Sequence, residues 1–138
     1  MRKGFFATSI VLLALTSICF ADAVPDIREG QWEITTKVEI PGMPTNMPPM
    51  KSTQCLTDKD FVPKNSQPGQ ECSFPETKVT GNTVTYTMEC KGKQGEMKGS
   101  GEVTYSGDSF KGTMKMQMPQ ANMEMTSHMD GKRIGDCE

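Results

Sequence analysis

Alternation of apolar and polar residues in the last third of the chain constrains the fold more than any other feature. From Met97 to Met129, apolar or small residues stand at every second position over three segments, which are separated by "SGDS" and "PQAN". A repeat of two is the period of a β-strand with one buried face. The pattern therefore predicts three antiparallel strands, with the methionines of "MKMQMPQANMEM" on the inner face.

Counting outward from each turn predicts which residues face each other. A two-residue turn at Gly107-Asp108 and a four-residue loop at 119–122 place glycines and methionines opposite methionines. Small residues opposite large ones are typical of a packed interior. The predicted pairs are Tyr105 with Phe110, Val103 with Gly112, Gly101 with Met114, Gly99 with Met116, Met97 with Met118, Met116 with Met125, and Met118 with Met123. The other face carries Lys98, Glu102, Lys111, Lys115, Gln117 and Glu124.

The rest of the chain also favours strands. Further strands are predicted at 32–40 and 50–56, and a hairpin at 74–90 that turns at Gly81-Asn82. The predicted interruptions are a proline-rich loop (41–49), one short helical turn near 57–61 and a loop (62–71). The predicted fold class is all-β, with about seven antiparallel strands in a meander that forms a curved sheet, an open barrel or a compact sandwich.

The first 21 residues predict a signal peptide. Met1-Arg2-Lys3 is a basic start, an apolar run follows, and small residues precede a cleavage point after Ala21. Cleavage after Ala23, an uncleaved anchor helix and a lipoprotein attached at Cys19 are the alternatives. We therefore predict a cleaved signal peptide (1–21) and a single disulfide-stapled β domain (22–138), located in the periplasm or secreted.

Charge and hydropathy limit the partners of the mature chain. Removal of Arg2 and Lys3 leaves 13 basic and 17 acidic residues, a formal net charge of −4. This balance lacks the basic excess that phosphate contacts require, so we expect no nucleic-acid partner. No other apolar run is long enough for a membrane span. A small apolar ligand and an envelope protein stay open as partners.

Four cysteines remain when Cys19 leaves with the signal peptide. An even number in an exported chain predicts two disulfides, whereas a four-cysteine zinc site would be expected to contain a C-x-x-C pair. We prefer a Cys55–Cys72 bridge, which would tie down a long irregular loop, together with Cys90–Cys137. A Cys72–Cys90 bridge across a hairpin is the alternative.

The methionines allow three interpretations. Thioether sulfur is a soft ligand that suits Cu(I), so the inner face is a candidate metal site. Methionine also fills irregular interiors, and a deformable methionine surface suits an apolar pocket. The candidate Cu(I) ligands are Met114, Met116, Met118, Met123 and Met125, with Met129 next to them. A second cluster, expected to be more exposed, comprises Met43, Met47 and Met50.

Catalytic signals are weak. The single histidine, His128, lies on the polar face of its strand, where a solvated side chain is expected. The sequence contains no G-x-S-x-G, and its glycine-rich "GKQGEMKGSG" does not match a phosphate-binding loop. We therefore predict no enzyme, no catalytic residue and no cofactor.

Several segments together resemble a known family. They are "EGQWEITTKVEIPGMP", "CLTDKDF", "GNTVTYTMEC", "GSGEVTYSGDSFKGTMKM" and "GKRIGDC", and they span about Gly30 to Cys137. They are similar to the exported bacterial family catalogued as domain of unknown function 3617 (DUF3617). The resemblance implies a periplasmic, β-rich, disulfide-containing module and supplies no activity or site residues.

Three functions are compatible with these observations. The leading hypothesis is a non-catalytic periplasmic binding or envelope-accessory module with an apolar ligand in a methionine-lined interior. A periplasmic Cu(I)-binding protein that uses Met-x-Met strands is the alternative, and an uncharacterised enzyme is the second alternative.

Overall fold

One antiparallel sheet of eight strands, curled into a half-barrel, forms the fold. The computed structural model describes residues 24–44, 47–62, 69–93 and 95–138, so the predicted signal peptide lies outside the described residues. The all-β prediction is confirmed. The strands are β1 (Gly30–Glu39), β2 (Met50–Leu56), β3 (Gln70–Ser73), β4 (Thr77–Thr80), β5 (Thr83–Gly92), β6 (Gly95–Tyr105), β7 (Ser109–Met118) and β8 (Met123–Gly135).

The sheet order is β2-β1-β8-β7-β6-β5-β3, and β4 also pairs with β5. Strands β5 to β8 form the predicted meander, and β1 returns to lie beside the last strand. The counted register is confirmed for the pairs Tyr105–Phe110, Val103–Gly112, Gly101–Met114, Gly99–Met116, Met116–Met125 and Met118–Met123. Apolar side chains consequently share the inner face, as predicted from their parity.

Strand β3 is additional to the seven predicted strands, and it begins inside the predicted loop at 62–71. It pairs with β5 and places Cys72 directly opposite Cys90. Strand β3 has only four residues, three of them polar, so its sequence is too short to indicate a strand by periodicity. Its pairing depends on the neighbouring strand rather than on its own pattern.

Residues 57–60 form a hydrogen-bonded turn rather than the predicted helical turn. The Asp60 carboxylate accepts hydrogen bonds from the Thr57 N–H (3.2 Å) and hydroxyl (2.8 Å), as the capping pattern suggested. The next carbonyl, that of Phe61, accepts a hydrogen bond from the Tyr105 hydroxyl (2.7 Å), so the chain enters the core there. A 3-10 turn at Pro119–Ala121 occupies the predicted four-residue loop. Within the described ranges, no helix has the length and apolar character needed to cross a bilayer.

Three aromatic side chains fill one end of the half-barrel. The Phe110 ring lies 5.6 Å from Trp32 and 5.5 Å from Tyr105, measured between centroids, and all three residues are buried. The Trp32 indole donates a hydrogen bond to the Arg28 carbonyl (3.0 Å), and Tyr105 donates to Phe61. Because their polar atoms have partners, these rings are buried without an unpaired group.

Both tyrosines of the chain are buried on this inner face, which makes ionisation at alkaline pH a test of the core. Burial raises the pKa of Tyr86 to about 12, and burial also raises the pKa of Tyr105. A raised pKa in the folded state stabilises the fold below pH about 10, and this contribution is lost as the pH rises through the folded-state value. We expect phenolate absorbance to stay flat near pH 10 and to rise with unfolding near pH 12. A spectrophotometric midpoint near 10 in a protein that stays folded would contradict this packing.

The disulfides differ from the preferred pairing. The structure connects Cys55 to Cys137 and Cys72 to Cys90. The preferred Cys55–Cys72 and Cys90–Cys137 pairs are therefore wrong, and the hairpin alternative for Cys72–Cys90 is correct. The physical reason is the sheet order, because β3 and β2 lie at opposite ends of it.

Candidate functional site

The methionines of the inner face fall into a buried group and a half-exposed group. Met88, Met114 and Met129 are buried in the hydrophobic core. Met97 and Met116 are half-buried and pack against that core. Among the described residues, the core cluster does not include the remaining three, Met118, Met123 and Met125. The core therefore ends partway along the inner face.

We call the half-exposed group the methionine end; it comprises Met97, Met116, Met118, Met123 and Met125. Met116 lies opposite Met125, and Met118 lies opposite Met123, on strands β7 and β8. Directly opposed side chains have Cβ atoms about 4.5–5.5 Å apart. The structure therefore brings four of the five predicted candidate ligands into one patch, whereas Met114 is buried opposite Gly101.

A continuous row of sulfur-bearing residues crosses this end of the sheet. Met118 faces Met123, Cys90 faces Met97, and Cys72 faces Cys90 in the strand register. The pairing of Lys98 with Gln117 places Met97 and Met118 next to each other on β6 and β7. The row runs Met123, Met118, Met97, Cys90, Cys72 over five adjacent strands. The Cys72 end of this row was not predicted from the sequence, because β3 has no recognisable pattern.

Two depressions lie at this end of the half-barrel. One, of about 250 Å³, is lined by Met118, Met123, the loop between them and the outer-face residues Gln117 and Glu124. The other, of about 240 Å³, is lined by Cys90, Met97 and charged neighbours on β5 and β6. The aromatic end has a smaller cavity of about 130 Å³, and all three are below the usual size of a ligand pocket. A ligand at the methionine end would therefore lie against its half-exposed apolar side chains rather than inside a closed cavity.

A larger depression of about 880 Å³ lies elsewhere, beside the polar faces of β5 to β7. Its lining is mainly hydroxyl and charged side chains, and most of these are exposed, including Glu102 and Lys115. Among the described residues, no buried side-chain nitrogen or oxygen lacks a hydrogen-bond partner. We favour the methionine end as the binding surface because its half-buried side chains are apolar, whereas the side chains around this depression are mostly polar and exposed.

The other candidate residues lie apart from the methionine end. His128 is on the polar face, where its Nδ1 is 3.3 Å from the Thr113 hydroxyl and its Nε2 is 3.8 Å from the Glu39 carboxylate. Met43, Met47 and Met50 are exposed, as the sequence suggested. In the part of the chain that the structure describes, no three His, Cys, Asp or Glu side chains form a group that could hold a metal ion.

The chain matches a known protein family. The sequence profile of a family described as a protein of unknown function (DUF3617) matches residues 27–137. No curated protein and no solved structure matches the chain significantly.

Proposed function

The chain belongs to the DUF3617 family, whose description assigns no activity, and we propose that it binds an apolar ligand without catalysis. One observation carries the proposal. The core stops at Met97 and Met116, so the apolar face continues beyond it, half-exposed, to Met118, Met123 and Met125. Removing apolar surface from water is favourable, so a ligand that covers these side chains would bind with a gain in stability.

The shape of the methionine end favours a single extended apolar chain. A ligand lying along the sulfur row from Met123 to Cys90 would cross four strands, a span of about 14 Å at the usual strand spacing. Methionine side chains are unbranched and polarisable, so they adapt to alkyl groups of differing shape. We therefore propose an alkyl or similar lipid-like chain as the ligand class.

The proposed location is the periplasm or the cell exterior. Two disulfides support it, because such bonds persist in oxidising compartments. The basic and apolar start of the sequence adds to it. Protein recovered from the periplasm with the mass of residues 22–138 would agree, and retention of residues 1–21 would contradict cleavage.

Two neighbouring substitutions on β7 test the ligand site. Met118→Lys introduces a charge on the inner face outside the core, whereas Gln117→Lys introduces the same charge on the exposed outer face. We expect Met118→Lys to weaken binding of the neutral fluorophore N-phenyl-1-naphthylamine by about tenfold or more, which corresponds to about 1.4 kcal/mol. Gln117→Lys should leave binding unchanged.

Native mass spectrometry of the same proteins, released gently from the periplasm, provides the second readout. We expect a co-purifying apolar species on the wild type and on Gln117→Lys, and none on Met118→Lys. Equal fluorophore affinity in all three folded proteins, together with a ligand-free wild-type mass, would sink the proposal.

Cu(I) binding by thioethers is the second candidate function. The pairs Met116–Met125 and Met118–Met123 favour it, because they place four soft ligands on one half-exposed patch. Thioethers bind without losing a proton, and this site uses no disulfide sulfur. It would therefore form in the oxidised protein. Cu(I) affinity that falls on combined Met116→Leu and Met125→Leu substitution, with both disulfides intact, would support it. An unchanged affinity would remove it.

A further inference from the structure

The Cys72–Cys90 disulfide is the end of the sulfur row, and this position suggests a redox-controlled thiolate site that neither candidate function includes. Cys90 faces Cys72 on one side and Met97 on the other, so three sulfur-bearing side chains lie on three adjacent strands. The Cα atoms of the two cysteines are 4.0 Å apart. The Cys55–Cys137 disulfide joins β2 to the C-terminal tail, away from the methionine end.

The Met97 thioether contacts a side chain of the strand that carries Cys72. Its sulfur is 4.0 Å from the Gln70 side-chain nitrogen, and Gln70 lies on β3, two residues before Cys72. Met97 belongs to β6, with β5 between the two strands, so the two side chains meet across β5 on the face that carries Cys90. The three sulfur atoms can therefore converge on one point with only rotations about flexible side-chain bonds.

Two of the three side chains are within reach of solvent. Cys72 and Met97 are half-buried, whereas Cys90 is buried. The ion pairs Lys91–Glu96 (3.8 Å) and Lys98–Glu89 (3.7 Å) lie on the opposite, outer face of β5 and β6. A metal ion would therefore approach the three sulfur atoms from the inner face, past Cys72 and Met97.

We propose that reduction of Cys72–Cys90 creates a Cu(I) site in which both cysteine sulfurs and the Met97 thioether are the ligands. A dithiol reductant supplies two electrons and two protons, the S–S bond breaks to give two thiols, and the reductant becomes a disulfide. Cu(I) then displaces the two thiol protons and forms two Cu–S bonds to thiolate and one to thioether, with no change in its oxidation state. Soft thiolate and thioether ligands select Cu(I), so the disulfide acts as a redox gate on metal binding.

A competition titration tests the gate. Cu(I) is titrated without oxygen against the chelator bicinchoninate, into oxidised protein and into protein reduced with tris(2-carboxyethyl)phosphine and desalted. We expect the reduced protein to bind one Cu(I) about 100-fold more tightly than the oxidised protein, because two thiolates are added to the ligand set. This gain does not depend on an apolar ligand or on the thioether pairs Met116–Met125 and Met118–Met123.

Matched variants assign the ligands. Cys72→Ala with Cys90→Ala should remove the gain, whereas Cys55→Ala with Cys137→Ala should keep it. Met97→Leu should weaken binding to the reduced protein by about tenfold, and Met88→Leu, at a buried core methionine of β5, should not.

Several outcomes would overturn the proposal. They are equal affinity in both redox states, an undiminished gain without Cys72 and Cys90, and loss of the β-sheet circular dichroism signal in the reduced, Cu(I)-loaded wild type. If either double cysteine variant fails to fold, the comparison of Met97→Leu with Met88→Leu decides, since both changes nearly conserve side-chain volume. An unchanged affinity of reduced Met97→Leu would then count against the site.

Discussion

Replacing both Cys55 and Cys137 by alanine is expected to lower the free energy of unfolding by about 4.5 kcal/mol. This disulfide closes a loop of 82 residues, which includes seven of the eight strands in whole or in part. Its removal gives the unfolded chain much more conformational freedom, and the cost grows with loop length. Small domains have a total stability of roughly 5–15 kcal/mol, so the variant should be close to its folding limit.

The second disulfide is the matched comparison. Cys72–Cys90 closes 18 residues, so the corresponding double alanine variant should lose about 3 kcal/mol. Urea unfolding, followed by the fluorescence of the single tryptophan, Trp32, measures both losses. A larger loss on removing Cys72–Cys90 than on removing Cys55–Cys137 would contradict the pairing.

Gly131→Ala is expected to destabilise the protein by about 2–3 kcal/mol through overpacking. Gly131 is buried on β8 opposite Phe110, and a Cβ atom there would overlap the Phe110 ring. The ring cannot move aside easily, because Trp32 and Tyr105 pack against it. An alanine at this position must therefore displace the aromatic end of the core.

Gly135→Ala on the same strand is the control. A Cβ atom at Gly135 meets nothing within 4 Å. Its stability should stay within about 0.5 kcal/mol of the wild type. Equal midpoints of urea unfolding for the two variants would show that the aromatic end is less tightly packed than the structure indicates.

The curved meander was predictable because its pattern is local. The alternation from Met97 to Met129 fixes which side chains point inward, and turns at Gly107 and at 119–122 fix the register. A shift of one residue would turn every methionine toward solvent, so burial of one face specifies the pairing strongly. The same counting placed all five residues of the methionine end on the inner face.

Long-range neighbours were not predictable from such patterns. The pairing of β1 with β8 joins the two ends of the chain, and nothing in either segment indicates the partner. The disulfide between Cys55 and Cys137 follows from that pairing, since β2 lies beside β1. The extent of the core along the inner face was not predictable either. Parity assigns Met114 and Met118 to the same face, although only Met114 is buried.

We propose that the methionine end, and not the exposed methionines, holds the ligand. Methyl NMR of protein labelled with 13C at the methionine methyl groups tests it directly, using N-phenyl-1-naphthylamine as titrant. We expect the largest changes in methyl chemical shift at Met97, Met116, Met118, Met123 and Met125, with small changes at the buried Met88, Met114 and Met129. Shifts confined to Met43, Met47 and Met50, or no shift at all in the folded protein, would contradict it.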